Sequence, residues 1–361
     1  MSPLAGASAL RSAEAFSPAG SQLPPVLVVL TLVGGNDAFN TLVPCGDGAY
    51  YDARRSLALP DAALLPVAPG LALNDSLRPL FDRFQRGELA LIPGVGWLCE
   101  KNGGVHPFAS RSHSRAAQIL HSARPDIIGD TGWLDSYLAN YTENYTAKSA
   151  ARLLPPPEAL AAAHLSPGSA QSIYGDAKLS RSLAALAAKI CPGDGDSSNS
   201  NHASQGVVHH LTMEGFDTHS GQSRRHRQLL GELADGLASF MADLELRSAD
   251  QGRSVMVLVQ SEFGRRLPEN SGNIFAPPVV NIFENAGDAG TDHGGSGLCF
   301  LLGAAVRGGI YGEYGNLGRL IDGEVAPTVD FRTVYATILE SWFKADSAEV
   351  LGGKYERLAF C

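Results

Sequence analysis

The chain has 361 residues, 44% of them hydrophobic and 18% charged, with a formal net charge of -9; this suits one α/β domain with insertions and excludes a basic nucleic-acid footprint. The five cysteines (Cys45, Cys99, Cys191, Cys299 and Cys361) are scattered and contain no Cys-x-x-Cys pair, which argues against a disulfide framework or a thiolate metal site. No stretch approaches 18 consecutive uncharged apolar residues, so no membrane span is expected.

Residues 1–24 are rich in Ala, Ser and Gly, with no positively charged start, twin arginine or continuous apolar core. They read as a flexible N-terminal segment in which no signal peptide is evident. A single domain is expected over 25–361. From Val26 to Val33 the chain is almost wholly apolar and does not alternate, the pattern of a central parallel strand covered on both faces. The run breaks at Gly34-Gly35 and delivers Asn36, Asp37 and Asn40 just past the strand's carboxyl end, the edge where open α/β sheets bind ligands. Leu77, Leu80, Phe81 and Phe84 then recur at helical spacing behind Asn74-Asp75-Ser76, which offers N-cap groups. Leu89 to Pro93 reads as a second strand ending in a glycine turn.

The residues from Arg115 to Leu120 favour helix, and Ser110 or Ser112 sits where that helix should begin. Such a serine is either an N-cap or a nucleophile facing the positive end of the helix dipole, with His113 beside it as an exposed residue or a base. Further helices are expected over Thr131 to Tyr145 and around Leu179, Leu183, Leu186 and Ile190. Residues 155–168 and 191–204 read as surface loops. Val207 to Leu211 is a third strand candidate, followed by Asp217 and His219, whose i, i+2 spacing points both side chains the same way in extended chain. A long amphipathic helix follows through Leu229 to Leu244. Val255 to Gln260 is a fourth strand candidate, ending at Ser261, Glu262, Gly264 and Arg265. A Pro/Asn/Gly-rich excursion leads to Thr291-Asp292-His293-Gly294-Gly295, where the glycines permit adjacent Asp and His to converge. Leu298 to Val306 is a fifth strand candidate, and Asp330 is the expected N-cap of the last helix.

The recurring theme is an apolar strand ending in glycine plus acid or histidine: Asp37, then Asp217 and His219, then Glu262, then Asp292 and His293. A turn-forming Asp or a structural His explains any one of them. Gathered at one edge, carboxylates and imidazoles suit Zn²⁺, Mn²⁺ or another divalent ion, whereas without a cation the carboxylates would repel one another.

The motifs VVLTLVGGNDAFNTLVP, SRSHSRAAQ, TGWLDSYL, GFDTHSGQ, SEFGRR, TDHGG and PTVDFRTVYATILE, in that order, resemble an uncharacterised bacterial family of exported, sulfatase-like proteins in the alkaline phosphatase superfamily. The resemblance runs from Pro25 to Phe343. It implies a doubly wound, mostly parallel α/β sheet flanked by helices, with metal at the strand carboxyl ends. It also implies a periplasmic or secreted location and a metal-dependent hydrolase of small-molecule or polymer-borne phosphate or related anionic esters. On it, Asp37, Asp217, His219, Asp292 and His293 are metal ligands for Zn, Mn or Ca, and Ser112 is the nucleophile with His113 and Arg265 beside it. Asn36, Asn40 and Glu262 would bind substrate, with Arg265, Asn36 and Asn40 meeting its anionic oxygen. Against that family pattern, residues 98–107 and 274–290 look like insertions, no histidine follows His293 to complete a second metal site, and no Cys/Ser-x-Pro-x-Arg sequence occurs for formylglycine formation. The alternative on the same fold is a metal-binding or scaffold protein with little or no turnover.

Overall fold

The computed structural model describes residues 25–101, 104–106, 111–125, 131–141, 174–191, 208–248, 254–270, 289–303 and 305–361. The expected N-terminal segment 1–24, Ser110 and most of the 274–290 insertion lie outside them.

The central sheet is built from β1 (Val26–Leu32), β2 (Leu89–Gly96), β3 (Val208–Met213), β4 (Val255–Ser261) and β5 (Gly297–Gly303), with the two-residue strands β6 (Gly309–Ile310) and β7 (Val329–Asp330). Its order is β6-β2-β5-β4-β1-β3, with β7 also pairing to β2. β1 lies between β3 and β4 and is parallel to both, Leu30 standing opposite Leu211 on one side and Val259 on the other. Only β5 runs against its neighbours β2 and β4. The fold is thus a mixed α/β arrangement with a mostly parallel central sheet.

The unalternating apolar run of β1 has the physical reason expected of it, because both of its faces are covered. Val26, Val28, Leu30 and Leu32 pack into one core with the helices Lys178–Ile190 and Gln222–Ser248. Leu27 and Val29 pack into a second core on the opposite face, with helices His113–Ser122 and Trp133–Tyr141 and the C-terminal helical region beginning at Phe331. In chain order the helices used below are α1 (Gly48–Ala53), α2 (Arg78–Gln85), α3 (His113–Ser122), α4 (Trp133–Tyr141), α5 (Lys178–Ile190), α6 (Gln222–Ser248) and α7 (Phe331–Thr337). Asp330 caps α7 as its sequence position suggests, its carboxylate accepting from Arg332 N–H. Residues 99–101 and 104–106 of the first expected insertion form a small antiparallel hairpin.

The reversed direction of β5 matters for the site. The carboxyl ends of β1, β3, β4 and β2 lie at one edge of the sheet, and the chain entering β5 arrives at that same edge. Thr291-Asp292-His293 therefore reaches the site by leading into a strand, not by following the end of one.

Gly34 and Gly35 let the loops at this edge touch. They have φ of +116° and +85°, and a Cβ on Gly34 would lie 2.2 Å from the backbone nitrogen of Asp217. Gly34→Ala therefore combines a left-handed backbone with a backbone clash. It is expected to destabilise the fold by about 2 kcal/mol or more, read as a lower urea midpoint with unchanged slope.

Candidate functional site

Four loops converge at this edge, and one buried side chain ties three of them together. Arg265, only 1% exposed, donates from Nε to the Gly35 carbonyl at 2.9 Å and from Nη1 to Thr291 O at 2.7 Å. Its Nη2 donates to the carbonyls of Gly34 and Phe216 and to Asp217 Oδ1, the last at 2.7 Å. Arg265 was expected to bind a substrate anion, but its donors point into four backbone carbonyls and a carboxylate. It is a positioning residue for Asp217.

Three imidazoles surround Asp217. His293 Nε2 lies 3.0 Å and His219 Nε2 3.1 Å from its Oδ1, and His113 Nε2 lies 3.5 Å from Oδ2. The Nε2 atoms of His219 and His293 are 3.1 Å apart. His113, Asp217 and His293 each offer one ligand atom, all within 4.8 Å of one another, a possible metal-binding triad. Burial pushes the Asp217 carboxyl up, but a hydrogen bond from His293, which its Nε2 can donate only when that ring carries a proton on both nitrogens, and the hydrogen bond and charge of Arg265 outweigh it and hold the group at about 2, so Asp217 is anionic throughout the neutral range.

The other nitrogen of each ring is also engaged. His113 Nδ1 is 3.0 Å from Glu262 Oε1, His219 Nδ1 is 2.9 Å from Asp292 Oδ1, and His293 Nδ1 is 3.0 Å from the Arg111 carbonyl. An ionised carboxylate or a carbonyl can only accept, so each Nδ1 carries the proton and donates it. In the neutral rings every Nε2 is then a lone pair. Lone pairs on His219 and His293 face one another and the Asp217 carboxylate across about 3 Å, an arrangement that repels unless a proton or a metal cation lies among them. Rings fixed through Nδ1 by carboxylates and carbonyls are the outer-shell pattern of metal-ligating histidines.

The structure therefore brings together Asp217, His219 and His293 from the expected ligand set and adds His113, expected only as a base. Asp292 and Glu262 stand behind the rings, orienting His219 and His113. Burial raises the Asp292 carboxyl, and the His219 and Asn270 hydrogen bonds bring it below its ordinary value. Glu262 also accepts from Gly34 N–H at 2.7 Å, so its expected substrate-binding role gives way to one of support.

Asp37, expected as a metal ligand, serves elsewhere. It is completely buried in an ion pair with Arg54, with Nη1 to Oδ2 at 2.5 Å and Nη2 to Oδ1 at 2.9 Å. Gln222 Nε2 and Phe39 N–H donate to the same carboxylate, leaving no lone pair for an ion. Burial raises the Asp37 carboxyl, and the Arg54 guanidinium brings it below its usual range. Asn40, expected to touch substrate, instead accepts from Tyr50 of α1 and from Arg54, and donates to Leu57 O. Asn36 faces inward as well, its Oδ1 lying 2.9 Å from His226 Nε2. Ser112 is exposed and occupies the N-cap position of α3, where its side chain makes no cap bond to the helix and its Oγ is 3.0 Å from Ser114 Oγ. It lies between Arg111, whose carbonyl receives His293, and His113.

Arg54, Gln222 and His226 were not singled out from the sequence, since Arg54 follows α1 in a loop, His226 lies on α6 without a motif, and Gln222 only closes the GFDTHSGQ stretch. His226 is 3% exposed. Burial dominates its titration and lowers it from 6.5 to about 4, with the Asp37 charge opposing. A histidine kept neutral in the fold but protonated in the unfolded chain makes stability fall as pH drops from 6.5 toward 4, by up to about 3 kcal/mol. Urea midpoints at pH 7 and pH 4.5 measure this, and His226→Gln is expected to reduce the difference.

A family described as a protein of unknown function (DUF1501) matches residues 203–351, which include Asp217, His219, Asp292 and His293 but not His113. No curated protein matches the chain, and no solved structure does. This match is to proteins of unknown function and not to a sulfatase or alkaline phosphatase family, which overturns the resemblance drawn from the motifs. Among the described residues, no helix is long and apolar enough to cross a membrane.

Proposed function

We propose that the protein is a divalent-metal-dependent hydrolase acting on phosphate or related anionic esters. The reading rests on one observation: three imidazoles, each fixed through Nδ1, aim Nε2 at the Asp217 carboxylate. Two imidazole nitrogens, from His113 and His293, and one carboxylate oxygen, from Asp217, suit Zn²⁺ or Mn²⁺ and disfavour Ca²⁺, which prefers oxygen ligands throughout. An ion held there supplies Lewis-acid polarisation of an ester oxygen.

The chain's own groups do the remainder. Arg265 fixes Asp217, while Glu262, Asp292 and the Arg111 carbonyl fix the rings. The N-terminus of α3 adjoins the cluster through His113, and its positive end favours an anionic substrate. Ser112 at that terminus is the nucleophile in this reading, its hydroxyl exposed to solvent. A second reading, a metal-binding protein without turnover, is favoured by the burial of Asp37 against Arg54, which removes an expected ligand of a second ion.

The test is hydrolysis of aryl phosphate and sulfate esters by the full chain before and after chelation. Turnover that chelator abolishes, added Zn²⁺ or Mn²⁺ restores and Ser112→Ala strongly reduces is the expected result. Metal-loaded protein with no turnover on either ester class favours the second reading, and turnover unchanged by Ser112→Ala removes the serine's role.

A further inference from the structure

Beside the histidine cluster, between α3 and α7, a small, partly open cavity lies at the same sheet edge. Its walls are mostly apolar and include Trp97, Ala116, Leu120, Phe263, Leu298 and Val334. Within it, the Tyr335 hydroxyl donates to Gln260 Oε1 at 2.9 Å, so two of its few polar groups satisfy each other. The lining Cys299 thiol is pushed up by burial to about 12 and stays protonated.

The cavity shares walls with the proposed metal centre. Glu262 lines it and accepts from His113. The Phe263 ring lines it too, with its centroid 4.3 Å from that of His293 and 5.0 Å from that of His113. Ala116 lies one helical turn after His113 on α3, where its small side chain leaves the space that a larger one would fill. Concave, predominantly apolar sites with a few fixed polar groups are the usual form of small-molecule pockets.

We infer that this cavity holds an apolar aryl or short alkyl group of the same molecule whose anionic head meets the histidine cluster, making the substrate an amphipathic ester. The inference rests on the metal-centre reading above and adds the substrate class.

The experiment is calorimetric titration of the zinc-loaded full chain with methylphosphonate, n-butylphosphonate and phenylphosphonate. Burial of each methylene is expected to tighten Kd about fourfold, so butylphosphonate, with three more methylenes, should bind about 60-fold tighter than methylphosphonate. Phenylphosphonate should also bind more tightly than the methyl compound. In Ala116→Phe and in Leu120→Trp, which place bulk in the cavity from a buried and a half-buried position, the ratio between butyl and methyl compounds should fall to a few-fold. Equal, zinc-dependent Kd values for all three overturn the pocket inference and leave the metal centre standing. An absence of binding by a chain that contains zinc overturns the inference together with the anionic-ester reading. A chain-length preference that persists undiminished in zinc-free His293→Ala shows a cavity acting apart from the centre and contradicts the one-molecule inference.

Discussion

Arg54→Met is expected to destabilise the protein by about 3–5 kcal/mol, the usual effect of breaking a buried ion pair from one side. The reason is what it leaves behind. Asp37 and Arg54 have no side-chain exposure, and Arg54 also donates to Asn40 Oδ1 at 2.8 Å, Leu267 O at 2.8 Å and Arg266 O at 2.9 Å. Without the guanidinium, an anion and three acceptors stay buried with fewer donors. The double variant Asp37→Leu with Arg54→Met removes the charge as well and should recover part of the loss, since replacing both partners by apolar groups is often close to neutral. Thermal or urea unfolding of the three proteins checks this. An Arg54→Met protein within about 0.5 kcal/mol of the parent, the range of ordinary surface substitutions, would mean that Asp37 is held in some other way.

The second large effect is expected at Asp217. Asp217→Ala removes the carboxylate on which the three imidazoles converge, while Arg265 keeps its four carbonyl acceptors. The fold should therefore persist while divalent-metal affinity collapses. Asp292→Asn is the graded comparison, because Asp292 acts through His219 Nδ1 at 2.9 Å. Loss of an outer-shell partner typically weakens metal binding about 10–100-fold, and the Asp217 variant should lose more. Competition titration with a chromophoric zinc chelator ranks them. Equal affinities for Asp292→Asn and the parent would show that the His219 orientation is set by something else.

Much of the framework was legible in the sequence because it follows from local pattern. The unalternating run of β1 announces a strand covered on both faces, and Asn74 and Asp330 cap the elements that follow them. Gly34-Gly35 marks the turn at which that strand ends. Asp217 and His219, two residues apart in extended chain, do point at one centre.

What could not be read depends on partners distant in sequence. Nothing in Gly-Gly-Asn-Asp says that Asp37 will be met by Arg54 and Gln222 inside the protein, because a carboxylate after a strand looks the same whether it faces a cation of the chain or an ion from solvent. Arg265 shows the same ambiguity, since its carbonyl acceptors have no side-chain signature. His113 reads as a helix-start residue beside a serine until the fold brings α3 against the loop after β3. The antiparallel course of β5 was hidden as well, because a buried apolar run carries no direction. The motif resemblance failed for a related reason: short stretches of glycine, acid and histidine at strand ends mark a kind of place on an α/β sheet more readily than they mark a family.

Elemental analysis tests the central claim most directly. The full chain would be incubated with Zn²⁺ or Mn²⁺, dialysed, and measured beside His293→Ala treated identically. The triad of His113, Asp217 and His293 predicts about one ion per chain in the parent, as expected of a single site with three protein ligands and an open position, and loss of that ion in the variant. No retained ion in either protein, with both folded, would contradict it and would leave protonated imidazoles as what holds the cluster together.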